Sequence, residues 1–219
     1  MSMTATFPPW WVTIALLVTA LLVAEYREHQ WGRAIAKVLA STCFVLAAWL
    51  HIPLENASSL AVFVGLCCSA VGDVALIPSK RWFLMGIVAF LLAHVAYMVA
   101  FLFLDLQLSW MLAASLVLVP IGFGVQKWLM PDVQKNLKLA VRAYILVISS
   151  MVVCSIAVYG GQTQKALIPL AATLFFISDL AVAKQRFKAP SFRNKLWGLP
   201  TYYAAQMLFV LVGANPGVL

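Results

Sequence analysis

Two acids stand where an apolar chain has little use for them. Asp73 lies near the end of one hydrophobic run, in Gly72-Asp73-Val74-Ala75-Leu76, and Asp179 near the end of another, in Ser178-Asp179-Leu180-Ala181-Val182. A charge held in hydrocarbon is costly, so acids retained there are candidates for chemistry or for ion movement. Two carboxyl groups in a partly desolvated pocket divide readily into a proton donor and a base. That pairing suits hydrolysis without a metal or a covalent nucleophile. Other polar candidates surround them. Lys37 and Arg142 sit about one turn inside the starts of their runs; Tyr202, Tyr203 and Gln206 share a helix face by their three- and four-residue spacing. His94 is deeper, with Phe90 four residues before it and Tyr97 three after. A purely structural arrangement would pair the aspartates with Lys37 and Arg142, and would bond the His94 ring to a neighbouring helix.

Other chemistries find less support. There is no His-Glu-x-x-His helix, and His29, His51 and His94 fall at different depths, so no metal is expected. No Gly-x-Ser-x-Gly elbow or phosphate-cradling glycine loop is present, and no cofactor is implied. Pro120, Gly122 and Gly124 suggest a kink or a packing notch in their helix rather than an ion-binding break, because no polar ligands accompany them. Cys43, Cys67, Cys68 and Cys154 lie within apolar runs and read as reduced packing residues.

The elements that must position these groups follow from composition. Of 219 residues, 64% are hydrophobic and 10% charged, with mean hydropathy +0.97. This excludes a soluble domain, a disordered tail and a secreted disulfide scaffold. At roughly 20 apolar residues per crossing, the chain holds about eight transmembrane helices and little else. The expected architecture is all-α and polytopic, one transmembrane domain over residues 1–219. Spans are expected near 10–25, 34–50, 58–77, 82–103, 108–128, 138–159, 164–183 and 197–214. The first run lacks a basic leader and a small-residue cleavage site, so it reads as a mature helix.

Charge sorting tests this division. Arg27, Arg33 and Lys37 surround the first loop, Lys80 and Arg81 the third, and Lys127, Lys135, Lys138 and Arg142 the fifth. Lys184, Arg186, Lys188, Arg193 and Lys195 surround the seventh, leaving Lys165 alone on the other side. The positive-inside bias then places the odd loops in the cytoplasm and both termini on the non-cytoplasmic side. Trp10, Trp11, Trp31, Trp49, Trp82, Trp110, Trp128 and Trp197 all fall at expected helix ends, as interfacial indoles do. The net charge of +8 is accordingly read as facing anionic lipid, not nucleic acid. Asp73 and Asp179 come out at one depth, roughly 5–7 Å inside the cytoplasmic ends of their helices, with His94 about 20 Å along the fourth. Their surrounding segments echo one another across nearly half the chain, as a parallel four-plus-four duplication would produce.

Taken in order, these residues resemble a known family. Gly72-Asp73, Phe83, Gly86, Phe90, Ala93-His94 and Tyr97, then Ser178-Asp179, Ala183, Arg186-Phe187, Tyr202-Tyr203 and Gln206, resemble the lysoplasmalogenase (YhhN-like) family. Lys37, Tyr144 and Met151 are similar to family positions too; no proline follows Lys37, where many members are expected to have one. The resemblance implies an integral-membrane hydrolase that cleaves the vinyl ether bond of lysoplasmalogens to a fatty aldehyde and glycerophosphocholine or glycerophosphoethanolamine. It assigns catalytic carboxylates to Asp73 and Asp179, with His94, Tyr202, Tyr203 and Gln206 in the pocket. Tyr97 joins them as a candidate pocket residue, and Lys37 or Arg142 is expected to meet the headgroup phosphate. The expected partners are the lysophospholipid and membrane lipids. The expected location is a bacterial inner membrane, with the pocket toward the cytoplasmic leaflet. The alternative is a small proton- or cation-coupled transporter using the same aspartates.

Overall fold

The computed structural model describes residues 9–77 and 82–215. Among them are eight helices long and apolar enough to cross a membrane. These are α1 (Pro9–Tyr26), α2 (Gln30–His51), α3 (Ala57–Ala75), α4 (Phe83–Leu102), α5 (Leu108–Leu129), α6 (Lys138–Tyr159), α7 (Leu167–Ala183) and α8 (Phe192–Gly213). Short 3-10 turns precede α6 and α7, and a π-turn, Lys184–Lys188, follows α7. The all-helical, eight-span expectation therefore holds. Lys80 and Arg81, assigned to the third loop, lie outside the described residues.

Local chemistry moves two helix starts. α2 begins at Gln30 instead of near 34, because His29 Nδ1 accepts the Gly32 N–H at 2.9 Å and caps the first turn. α8 begins at Phe192 instead of near 197, where Ser191 Oγ accepts the Arg193 N–H at 3.2 Å. Pro200 is carried inside α8. Beside it, Thr201 Oγ1 donates to the Trp197 and Gly198 carbonyls at 2.8 and 3.0 Å. Trp197 consequently sits in the second turn of α8 and not at its end. α5 runs unbroken through Pro120.

In lipid, apolar burial gives helices little reason to associate; close packing and interhelical hydrogen bonds must do so. Gly65 and Gly72, seven residues apart on α3, receive Tyr97 and Phe90, seven apart on the antiparallel α4. A Cβ on Gly65 would fall 2.5 Å from the Tyr97 ring, and one on Gly72 2.7 Å from the Phe90 ring. Gly198 similarly seats α8 on α7, with the Ala181 Cβ at 2.5 Å from where its own would lie. Inside the bundle, Tyr97 stacks on Phe209 at 3.9 Å between ring centroids. Phe44, Phe101 and Phe175 are fully buried beside them. Near the loop ends, Glu25 Oε2 on α1 accepts from Arg33 Nη1 of α2 at 3.3 Å and from Lys195 Nζ of α8 at 2.6 Å.

Candidate active site

The two aspartates sit on the wall of one cavity of about 200 Å³, whose lining is otherwise largely apolar. α2 contributes Lys37, α3 Asp73, α4 Ile87 and Phe90, α6 Tyr144 and Ile148, α7 Asp179, and α8 Tyr202. With Val125 and Leu129 of α5, seven helices converge on one space. Gly72 lets Phe90, one of the lining residues, approach the backbone beside Asp73.

Asp73 is held by donors from two helices. Its Oδ2 accepts Ser41 Oγ–H at 2.6 Å and Tyr202 Oη–H at 2.8 Å, and Lys37 Nζ lies 3.2 Å from Oδ1. The carboxylate side chain is only 3% exposed and the lysine 17%. Such a pair survives burial because the ammonium and both hydroxyls oppose the same negative charge. Ser41 follows Lys37 by four residues, so one face of α2 supplies both. The Tyr202 ring is fixed edge-on against Phe44, Phe90, Phe175 and Tyr203.

Asp179 has different surroundings. Tyr144 Oη–H donates to its Oδ2 at 2.7 Å, and His94 Nε2 lies 3.3 Å from the same oxygen without the alignment of a hydrogen bond. No described residue donates to Oδ1, and the side chain is 15% exposed. The His94 ring is wholly buried, edge-on to Tyr144 at 5.2 Å and tilted against Phe175 at 4.4 Å. Asp73 is thus enclosed by donors and a cation, while Asp179, also on the cavity wall, has one carboxyl oxygen with no donor among the described residues.

The other sequence candidates separate by helix phase. Tyr97 donates from Oη to Gln206 Oε1 at 2.8 Å, and Tyr97, Tyr203 and Gln206 are buried without lining the cavity. His94 reaches the site through Asp179 and Tyr144. Arg142 departs from expectation: it is exposed and borders a separate surface depression with Lys127 and Lys138. Tyr144 is two residues further along α6, about 200° around the helix, so whichever of the two faces Asp179 excludes the other. Of the structural pairings considered, Lys37–Asp73 forms, and Tyr144 takes the place of Arg142 beside Asp179.

Several contributors were missed as such. Ser41 was signalled only by its spacing from Lys37. Tyr144 and Arg186 were named without a role, and Gln185, Asn194 and Lys195, which line the cavity, come from a connection expected to be loop. Among the described residues, no group of three His, Cys, Asp or Glu side chains is gathered to hold a metal.

Comparison with known proteins agrees with the sequence resemblance. The YhhN family model matches residues 32–212. The chain is 33% identical to the mouse lysoplasmalogenase TMEM86B, over 90% of this chain and 83% of that protein. It is 36% identical to the pig lysoplasmalogenase TMEM86B, over 93% and 84%. It is also 33% identical to the uncharacterized membrane protein YhhN of Escherichia coli O157:H7, over 51% and 54%. No solved structure matches the chain.

Proposed function

The chain belongs to the YhhN family, and we propose that it is a membrane hydrolase that opens the vinyl ether bond of lysoplasmalogens by acid–base catalysis between Asp179 and Asp73. Relatives named lysoplasmalogenases, aligned over most of both chains, support the substrate. The observation that carries the mechanism is the unequal setting of two carboxyl groups on one apolar cavity.

In this reading Asp179 is the acid. Oδ1 delivers a proton to the alkene carbon β to the ether oxygen, leaving an oxocarbenium ion and the Asp179 carboxylate. Oδ2 keeps its bond from Tyr144 throughout. Asp73, ionised beside Lys37, faces the cation and lowers its energy. Water adds to the carbon bearing the oxygen and gives its proton to Asp73, forming a hemiacetal. Asp73 then protonates the departing glycerol oxygen while Asp179 takes the hemiacetal hydroxyl proton. Aldehyde and glycerophospho-alcohol leave, and both carboxyl groups are back in their starting forms. The apolar wall accepts the alkenyl chain and keeps bulk water from the cation.

The setting of the two acids also supports a four-plus-four internal repeat. Asp73 on α3 is held from α2 and α8, and Asp179 on α7 from α6 and α4. A shift of four helices around the bundle exchanges the two sets. We place the chain in a bacterial inner membrane, with the cavity toward the cytoplasm and both termini on the other side. The helical build and the single-sided distribution of Lys and Arg support this placement.

The test is aldehyde release from a purified lysoplasmenyl lipid by the detergent-solubilised protein, alongside Asp73→Asn and Asp179→Asn. Release by the parent, lost in both folded variants, is expected. A well-folded parent that releases no aldehyde from either choline or ethanolamine substrates would overturn the reading. Proton-coupled transport is the second reading. Its support is a set of buried polar atoms without hydrogen-bond partners beyond the cavity, Ser69 Oγ, Tyr203 Oη and Gln206 Nε2. It predicts proton flux in proteoliposomes that Gln206→Leu abolishes.

A further inference from the structure

Three cations line the cavity among the described residues, and two of them already face acids. Lys37 faces Asp73 at 3.2 Å, and Lys195 Nζ lies 2.6 Å from Glu25 Oε2. Arg186 has no acid within ion-pair distance among the described residues. It is exposed yet lines the cavity, which puts it at the mouth. Its guanidinium carbon rests 4.0 Å above the centre of the Phe83 ring. Phe83 is in turn braced edge-on by Phe187 at 6.0 Å. A guanidinium whose carbon is held over an aromatic ring by cation–π attraction still offers N–H donors at its edge, and a phosphate can take two of them side by side.

Its place along the chain is set by the π-turn. The Ala189 N–H bonds back to the Lys184 carbonyl at 3.0 Å, widening the coil where α7 leaves the bundle. Such turns commonly redirect side chains at working sites. Arg186 follows Asp179 by seven residues, two turns, or about 10 Å along the axis. A glycerol segment and a long guanidinium side chain together cover that span. A lipid whose vinyl ether lies at Asp179 and whose tail runs along Ile87, Val125 and Ile148 brings its phosphate to this mouth.

We propose that Arg186, stacked on Phe83, is the receptor for the phosphodiester of the substrate headgroup, and therefore selects lysophospholipids over neutral glycerol ethers. This rests on the lysoplasmalogen reading above. It replaces Arg142, which borders another depression, and Lys37, which is committed to Asp73.

The experiment measures binding of a 1-alkyl lysophospholipid and of the 1-alkylglycerol of the same chain length, by calorimetry in neutral detergent. The parent should prefer the phosphorylated ligand by roughly 10- to 100-fold, the range of one charge-assisted contact. Arg186→Gln should reduce that preference nearly to one, and Arg186→Lys should retain part of it, with the alkylglycerol bound equally by all three. A parent with no preference, or Arg186→Gln with the parent's preference intact, would overturn the proposal. Saturated ethers present no vinyl ether to hydrolyse, so this outcome stands whether or not the protein releases aldehyde. Failure of the receptor and failure of the hydrolase reading are thereby told apart.

Discussion

Tyr144→Phe removes one oxygen atom from the site and leaves the ring that packs edge-on to His94. What is lost is the 2.7 Å bond from Tyr144 Oη to Asp179 Oδ2. If Asp179 is the proton donor, that bond meets a neutral carboxyl in the ground state and a forming carboxylate in the transition state. Neutral hydrogen bonds contribute about 0.5–1.5 kcal/mol net and those to charged groups about 1.5–3. The difference, about 1–1.5 kcal/mol, is transition-state stabilisation, worth roughly 5- to 13-fold in rate. The expected outcome is therefore a fall of that size in kcat with little change in KM, read from initial rates of aldehyde release. A folded variant with unchanged kcat would refute Asp179 as the acid. A loss confined to KM would refute it as well, because the hydroxyl would then only shape the cavity. A loss of a thousandfold or more would instead make Tyr144 itself the proton source.

Other perturbations separate the two aspartates and the packing that holds them. In the proposed mechanism Tyr202→Phe removes a bond to a carboxylate ionised at the start of the reaction, so it should lower thermal stability by about 1.5–3 kcal/mol and reduce kcat less than Tyr144→Phe. Melting curves and initial rates on one preparation decide this. Lys37→Met leaves Asp73 buried beside two hydroxyls and no cation; a destabilisation of about 3–5 kcal/mol is expected, with partial recovery when Asp73→Asn is added. No recovery in the double variant would mean that the lysine acts through something other than this pair. Gly72→Ala places a methyl 2.7 Å from the Phe90 ring, and should cost about 1–3 kcal/mol by forcing α3 and α4 apart. Detergent melting points identical to the parent would refute the tight packing. Arg142→Gln should leave KM for lysoplasmenyl lipids at the parent value, since the side chain lies outside the cavity; a several-fold rise would return the headgroup to that arginine.

The eight spans were readable in the sequence because lipid imposes one strong rule, that each crossing be long and apolar, and the chain obeys it throughout. The pair Asp73 and Asp179 was readable for the same reason, since an acid stands out in hydrocarbon. Misplaced helix starts, near 34 and 197, trace to two weak local signals. A histidine cap and a proline carried inside a helix both look like boundaries until their hydrogen bonds are seen.

Residue type and depth selected Arg142 and Lys37 together as cations near the acids, but only Lys37 reaches one. Depth is a one-dimensional quantity that the sequence supplies. Which way a side chain points around its helix is set by how neighbouring helices pack, and here two residues of phase exchange Arg142 for Tyr144. The same holds for Tyr97 and Gln206, which bond to each other behind the cavity, and for Tyr203, buried without lining it. Arg186 was legible in the sequence only as part of the Arg186-Phe187 pair, without a role. Its sequence neighbours mark it as one more basic residue of a loop, and the role proposed for it comes from a π-turn, a phenylalanine beneath it and the acids that face the other two cations on the cavity wall among the described residues. Sequence thus determined how many times the chain crosses and which acids it keeps inside. Packing, through glycine-sized gaps and helix rotation, decided which groups share one cavity with them.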